Sequence, residues 1–490
     1  MIGEDCVENT KKTNVVAAYL YISIPIGIFL ATWLRWYIAL PAVLLFVFGL
    51  FMMIKEAPSV WCPQKNHTTK RNAIISIAIV FFIVYLSGVG MLSYQNPDHY
   101  CRNSIFEALC DNSWPVYAVS NNGNDVSLVY YISFWLPSAI GGKFFGKTAG
   151  YCCMALWTVL GIAIFYSLFC SFVKKFKVWP LVTFFSFSGL DILLWFLIGK
   201  GEPNVSHIEW SVFAFQYSSF TTQLFWVFNQ AVPAWIITML LLLQKNNRNI
   251  VFLISLTLLN SPIPFIGILP IVVFLVFNRK YDGADNRVKW WQHWFKDTFT
   301  LQNILAGGST GILSFLYIFS SPRSKDLDAA PLFSFVGNDF NGTKTFIMNY
   351  LLFIIFEILI YFVIIYPYYK KQPIFYVIGA TLLVVPLIKM GNSIDFCMRA
   401  SIPSLVLLYI FVTESLQRSF KEKKRIILIP LAIALIIGAR TPVNEVIRTI
   451  RNTCSGVKNA GSFDLMKDET QINFVARTDN SVFFEYLAKK

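Results

Sequence analysis

The chain has 490 residues, of which 56% are hydrophobic and only 14% charged, with a formal net charge of +14. So few charges exclude a soluble globule with an ordinary charged surface. The positive excess does not mark a nucleic-acid binder either, because the basic residues fall in short clusters between apolar runs, where the positive-inside rule places them.

Apolar runs of about 17–25 residues, the length that crosses a hydrocarbon core of roughly 30 Å, recur throughout. The predicted class is an all-α polytopic membrane protein. Spans are expected near 14–33, 37–54, 73–93, 149–172, 179–198, 222–244, 249–261, 264–278, 302–320, 345–367, 373–389, 401–416 and 426–440, which makes 13. Ahead of the first, Lys11 and Lys12 flank a run without a small-residue cleavage site, which reads as a retained span rather than a signal peptide. Asn260-Ser261-Pro262-Ile263-Pro264 breaks the helix between the seventh and eighth.

Charge tests this order. With the N-terminus cytoplasmic, the clusters at Lys70/Arg71, Lys174/Lys175/Lys177, Arg279/Lys280, Lys370/Lys371 and Lys421/Lys423/Lys424 all face the cytoplasm. The stretch 126–145 is long enough to span, but crossing there would turn every later cluster outward. It therefore reads as a helix on, or dipping into, the outer surface. The chain then divides into a transmembrane body, 1–440, with a long outer loop at 94–148, and a short extracytoplasmic tail, 441–490. The nine cysteines form no CxxC and no zinc-type spacing. On a single helix, Cys101 and Cys110 would be separated by about 13.5 Å of rise on opposite faces, too far for a bridge.

Polar residues that could carry chemistry gather in the outer loops. Asp98, next to His99 and Arg102, follows the third span, where a carboxylate serves as a base or holds a cation. It serves equally as a solvated loop acid. From Arg102 to Asp111 the pattern is a short amphipathic helix. His207, Glu209 and Trp210 share the next outer loop; two ligand types do not make a metal site. Asp191 lies within a span. Gln223, Asn229 and Gln230 enter the following span near Trp226 and Trp235, suited to sugar hydroxyls or to bonds between helices. Lys389, Asn392, Asp395 and Arg399 cluster between two late spans, where an arginine fork fits a phosphate or simply pairs with the aspartate four residues before it.

These features occur in a familiar order. PDHYCRNSIFEALCDNSWPV at 97–116, HIEW at 207–210, TTQLFWVFNQAVPAW at 221–235, SPIPFIGILP at 261–270 and DFCMRASIP at 395–403 resemble the GT-C superfamily of integral-membrane glycosyltransferases. The likeness is to relatives of protein O-mannosyltransferases and lipid A aminoarabinose transferases, and more closely to uncharacterised bacterial members. It covers about residues 90–410 and includes a Tyr-rich helix ending at Gly142-Lys143-Phe144-Phe145-Gly146. His99 stands where the family has a second acid, and Asp125-Val126-Ser127-Leu128 replaces its Pro-Pro-Leu.

The resemblance implies a GT-C-like fold with juxtamembrane helices in the first outer loop, set in a bacterial plasma membrane. It implies a polyprenyl-phosphate-sugar donor and a lipid, glycan or protein acceptor at the extracytoplasmic face, with no nucleic acid. Asp98 becomes the base, and Arg399, Lys389 and Arg102 hold the donor phosphate. His99, His207, Glu209, Trp210, Gln230 and Asp395 become substrate contacts. No cofactor or metal ligand set is assigned, which leaves room for a divalent cation. An O-antigen polymerase or ligase would place its main outer loop late in the chain. A lipid-linked-glycan transporter or flippase would show repeats.

Overall fold

Apolar side chains left facing outward set the character of this computed structural model, which describes residues 10–64, 66–199, 207–212, 214–281, 287–320, 332–391, 395–457, 459–467, 473–479 and 481–490. Leu40, Leu44, Val47 and Phe51 on one helix, and Ile74, Ile77 and Phe81 on another, lie exposed, an arrangement stable only where the surrounding solvent is lipid.

The first two helices, α1 (Thr13–Trp33) and α2 (Trp36–Lys55), form an antiparallel hairpin. At one end β1 (Thr10–Lys11) pairs with β2 (Val60–Trp61); at the other, Leu34 bridges Ala488 near the C-terminus. Thr10 and Ala488 thus lie at opposite ends of α1. Next, α3 (His67–Leu86) stops short of the expected residue 93, because Gly88 and Gly90 take φ of +78° and +86° that a helix cannot continue through.

The long loop then gives α4 (Asp98–Asp111), β3 (Tyr117–Val119), β4 (Asp125–Leu128), a 3₁₀ turn (Ile132–Trp135) and α5 (Leu136–Phe145). The expected helix over 126–145 is therefore corrected. Only its second half is α-helical, and ten residues rise about 15 Å, half a bilayer. Gly146, at φ +86°, turns the chain into α6 (Lys147–Val173). Helices α5 and α6 touch at glycine: a Cβ on Gly150 would stand 2.8 Å from Gly142 Cα.

Beyond α6 come α7 (Trp179–Ser186) and α8 (Asp191–Leu197), then α9 (Phe220–Leu243), kinked at Val227. Buried on nearly every face, α9 forms the axis of the core. Its Trp235 meets Phe165 and Phe184 at ring separations of 5.7 and 5.0 Å. The proline-rich break falls where expected, at Ser261 between α10 (Ile250–Asn260) and α11 (Pro262–Phe277). The amphipathic α12 (Arg287–Thr298) and a π turn (Gln302–Gly307) lead into α13 (Gly308–Ile318).

After β5 (Phe333–Phe335), α14 (Thr343–Ile354) passes through a π turn, Ile355–Leu359, into α15 (Ile360–Tyr369). Then come α16 (Pro373–Val384), β6 (Ile388–Met390), α17 (Asp395–Ala400), α18 (Ile402–Lys421), α19 (Arg425–Gly438) and α20 (Arg440–Cys454). Strand β6 pairs antiparallel with β5.

The tail is more than the short cap expected of 441–490. It opens with α20, and its strand β7 (Val475–Arg477) pairs with β4, completing the sheet β3-β4-β7. Phe483 packs its ring 5.2 Å from Tyr317 and 6.2 Å from Phe29.

Eight helical segments among the described residues are long and apolar enough to cross a membrane: Thr13–Trp33, Trp36–Lys55, His67–Leu86, Lys147–Val173, Trp179–Leu197, Phe220–Leu243, Thr343–Tyr369 and Arg425–Cys454. Three shorter apolar ones are Ile250–Asn260, Pro262–Phe277 and Pro373–Leu387. Helix also occupies the other two expected positions, in α13 and α18. The protein is an all-α integral membrane protein.

Candidate functional site

Asp98 opens α4. The Asn96 carboxamide oxygen accepts the Asp98 N–H at 3.1 Å, and its Nδ2 donates to the Phe225 carbonyl at 2.7 Å, pinning the start of α4 to α9. This places the carboxylate at a helix N-terminus, where the macrodipole favours negative charge. One turn later Arg102 Nη2 donates to Asp98 Oδ2 at 2.9 Å. The pair is lopsided: the Asp98 side chain is 46% exposed and that of Arg102 only 7%. Arg102 Nε and Nη1 are buried with no hydrogen-bond partner. Burial raises the Asp98 pKa, but Arg102 and the more distant Arg399 outweigh it, so the carboxyl titrates below the ordinary range.

The same motif recurs on α17. Arg399 Nη2 donates to Asp395 Oδ2 at 2.7 Å, and Nη1 donates to the Tyr131 hydroxyl at 2.7 Å. The expectation that Asp395 and Arg399 pair is met, and Tyr131 adds a partner from the long loop. Arg399 Nε is buried without one. Asp98 and Arg399, some three hundred residues apart in sequence, act on each other electrostatically.

A third pair comes from the tail. Glu445 and Arg448 form a buried ion pair on α20. Trp226 Nε1 donates to Glu445 Oε2 at 2.9 Å, and Arg448 lies over the Trp226 ring at 5.4 Å. His207 sits against this group, with Nδ1 4.0 Å from Glu445 Oε1, beyond hydrogen-bond reach. Its ring centroid is 4.5 Å from that of Trp210 and 4.3 Å from that of Trp226. Burial, then Arg448, push the imidazole down to about 4, against the pull of the Asp98 charge. His207 is therefore neutral at physiological pH and electrostatically coupled to Asp98.

The remaining expected contacts lie elsewhere. The ring of His99 is 1% exposed; Nδ1 meets Gln95 Nε2 at 3.3 Å and Nε2 meets the Phe225 carbonyl at 3.2 Å. Burial, then Arg102, push it down to about 3. His99 thus ties α4 to α9 rather than facing a substrate. Lys389 bonds Asp339 at 2.5 and 2.7 Å beside the β5–β6 pairing, so it serves that two-stranded sheet instead of a phosphate beside Arg399. Asn392 lies outside the described residues. Gln230 is buried in α9, with both side-chain polar atoms lacking a partner. Gln223 accepts from Trp235 Nε1 at 2.9 Å, a bond within α9 across its kink at Val227 rather than one between helices.

Glu209 departs from the expected grouping. Its oxygens accept the Ser219 N–H and the Gln216 amide, both at 3.0 Å. Burial, reinforced by the Asp191 charge, pushes it up to about 8. It belongs with Asp191 and Glu357 in a buried acidic group. Asp191 Oδ2 accepts from Ser188 at 3.0 Å and from Thr441 at 3.1 Å, and Glu357 presses so close on Gly189 that a Cβ there would lie 2.0 Å from Oε2. Trp210 is half exposed and bonds Gln216 through Nε1 at 2.9 Å.

Tyr131, Glu445 and Arg448 were not singled out in the sequence. The acid–arginine spacing on a strongly amphipathic segment was the available signal for the last two. Among the described residues no three His, Cys, Asp or Glu side chains are arranged to hold a metal ion. Asp98 stands beside an arginine and near a second, a donor set that repels a divalent cation rather than holding one. A recess lined by Lys175, Lys177, Trp179, Glu414 and Gln417 lies at the other end of α6 and shares none of these residues. No family model, curated protein or solved structure matches the chain.

Proposed function

We propose that this protein is a GT-C-like membrane glycosyltransferase that moves a sugar from a polyprenyl-phosphate donor to an acceptor hydroxyl at the extracytoplasmic face. The observation that carries the reading is the grouping of one ionised carboxylate, Asp98, with the buried guanidinium of Arg102 beside it and that of Arg399 within electrostatic range, both guanidiniums having unpaired N–H groups. Such forks match phosphate oxygens, and a carboxylate between them and the surface is placed to receive a proton.

The reaction would be a single displacement. The acceptor hydroxyl attacks the anomeric carbon and gives its proton to Asp98. The bond from that carbon to the phosphate oxygen breaks, and its electron pair leaves with the lipid phosphate, held by Arg102 and Arg399. In the free enzyme the arginine contact weakens Asp98 as a base. A phosphate engaging Arg102 would draw that charge away and strengthen Asp98 as the donor docks.

For the membrane arrangement we propose 13 spans, with the N-terminus cytoplasmic and the tail outside. Two observations support this: Thr10 and Ala488 lie at opposite ends of α1, and the basic loops alternate. The test is transfer of labelled sugar from a polyprenyl-phosphate donor in membranes. Asp98→Asn, nearly isosteric, should lose roughly 10²–10⁴-fold in turnover while remaining folded and inserted. Near-normal turnover would remove Asp98 from the role of base and overturn the mechanism.

A further inference from the structure

Resting on that reading, we infer that His207, Trp210, Trp226, Glu445 and Arg448 form a subsite for an uncharged sugar ring, part of it supplied by helix α20. The first ground is His207. Its ring is nine-tenths buried, yet neither nitrogen has a hydrogen-bond partner. A buried imidazole left this way loses the water it would otherwise bond, a cost that a bound hydroxyl removes.

The second ground is the gap between His207 Nδ1 and Glu445 Oε1. At 4.0 Å it is too long for a direct bond. A hydroxyl placed beside it both donates and accepts: its O–H goes to the carboxylate, and its lone pair takes the imidazole N–H. The third ground is Trp210, whose half-exposed indole stacks on His207 and offers an apolar face of the kind that sugar C–H groups pack against.

Charge selects the class of ring. Glu445 is already balanced by Arg448, and His207 is neutral. An ammonium or a carboxylate on the sugar would find no unbalanced opposite charge here to offset the water it gives up. A neutral hexose fits best. The ring belongs either to the donor or to a glycan acceptor, which share this chemistry, and the test separates the two.

The experiment uses the full-length protein purified in detergent, with thermal unfolding as the readout. Four probes are titrated: a polyprenyl phosphate, the same lipid carrying a neutral hexose, the same lipid carrying an amino sugar, and a soluble methyl hexoside. Wild type should bind the hexosyl lipid more tightly than the bare phosphate and than the amino-sugar lipid if the donor ring sits here. If the acceptor ring does, it should instead respond to the methyl hexoside.

His207→Phe keeps the ring and its stacking but removes both nitrogens. It should lower whichever sugar-dependent response wild type shows by about tenfold in affinity and leave bare-phosphate binding unchanged. Trp210→Ala, at a half-exposed position, should do the same. If both variants retain the full sugar-dependent response, or wild type shows none, the subsite is overturned while phosphate binding still supports the donor site. If wild type binds no probe, the glycosyltransferase reading falls, and this inference with it.

Discussion

Gly267→Ala tests how Arg399 is held. Gly267 lies on α11, and a Cβ built on it would stand 1.7 Å from the Ala400 carbonyl oxygen, 2.6 Å from its carbon and 2.9 Å from its Cα. All three are backbone atoms, so no rotamer change relieves the clash. The helices would have to part by about 1.3 Å merely to reach the 3.0 Å below which Cβ contacts are essentially never found. Ala400 follows Arg399 directly. Taken up wholly along the bond from Arg399 to Tyr131, such a shift stretches its 2.7 Å to about 4 Å, beyond hydrogen-bond range.

Overpacking of this kind costs roughly 1–3 kcal/mol. A catalytic group misplaced by about 1 Å loses on the order of 10²-fold in rate. The matched control is Gly308→Ala. Gly308 also has helical backbone angles, but a Cβ there meets nothing within 4 Å. That substitution should be neutral or stabilise by up to about 1 kcal/mol. The assays are thermal unfolding in detergent and sugar transfer in membranes. If Gly267→Ala matches Gly308→Ala in both, the contact between α11 and α17 does not set the position of Arg399.

Arg399→Ala should weaken donor binding and slow turnover together, by about 10²-fold or more in kcat/KM, because the phosphate is charged in both ground and transition states; an unchanged donor KM would refute this. Glu209→Gln tests the buried acid. A carboxyl raised to about 8 keeps its proton in the folded chain after the unfolded chain has lost it, so stability falls as pH rises from about 4.5 to about 8. The amide should flatten that decline in pH-dependent unfolding temperatures, and an unaltered slope would show that Glu209 ionises freely. A reporter enzyme fused after Lys490 should be active only outside the cytoplasm; cytoplasmic activity would mean an even number of spans.

The apolar helices were legible because their signal is local. Each run carries its own length and its own flanking charges. What misled was also an apolar run, at 126–145. Short apolar stretches suit strand or helix equally. Here Val126, Ser127 and Leu128 lie in a central strand, paired on one side with β3 of the same loop and on the other with Arg477, Ala476 and Val475 from about three hundred and fifty residues away. No spacing within the loop announces that partner, and the same long reach hid the tail's part in the fold.

Within the site, the pairing of Asp395 with Arg399 four residues later was readable; that of Asp98 with Arg102 was not, because the amphipathic pattern starts at Arg102 and leaves Asp98 in the loop before it, whereas the helix begins at Asp98. Adjacency was not a guide to orientation. His99 neighbours Asp98, yet successive residues on a helix point about 100° apart, and this one turns its ring onto Phe228 at a centroid distance of 5.7 Å. His207 and Glu209 share a loop but face opposite ways, one to Glu445 and the other to Ser219.

Three acid–arginine pairs, on α4, α17 and α20, thus supply the charge of this region, and stability does not explain them. Each pair is local to its helix and would form wherever that helix lay. Burying a guanidinium costs several kcal/mol, which one carboxylate rarely recovers in full, and a well-packed apolar pair often does as well. In two pairs the exposure is also the reverse of what a surface ion pair shows. The aspartates face out, 46% and 45% exposed, while their arginines are 7% and 10% exposed. Long basic side chains at a membrane surface ordinarily extend toward water. These two are held inward, each with an unmatched N–H edge, and they are linked electrostatically through Asp98. A fold that keeps two cations inward while leaving their counter-ions outside holds a positive potential for something that is not part of the chain. On the proposed reading that partner is a lipid phosphate, whose negative charge and place at the bilayer surface match both features.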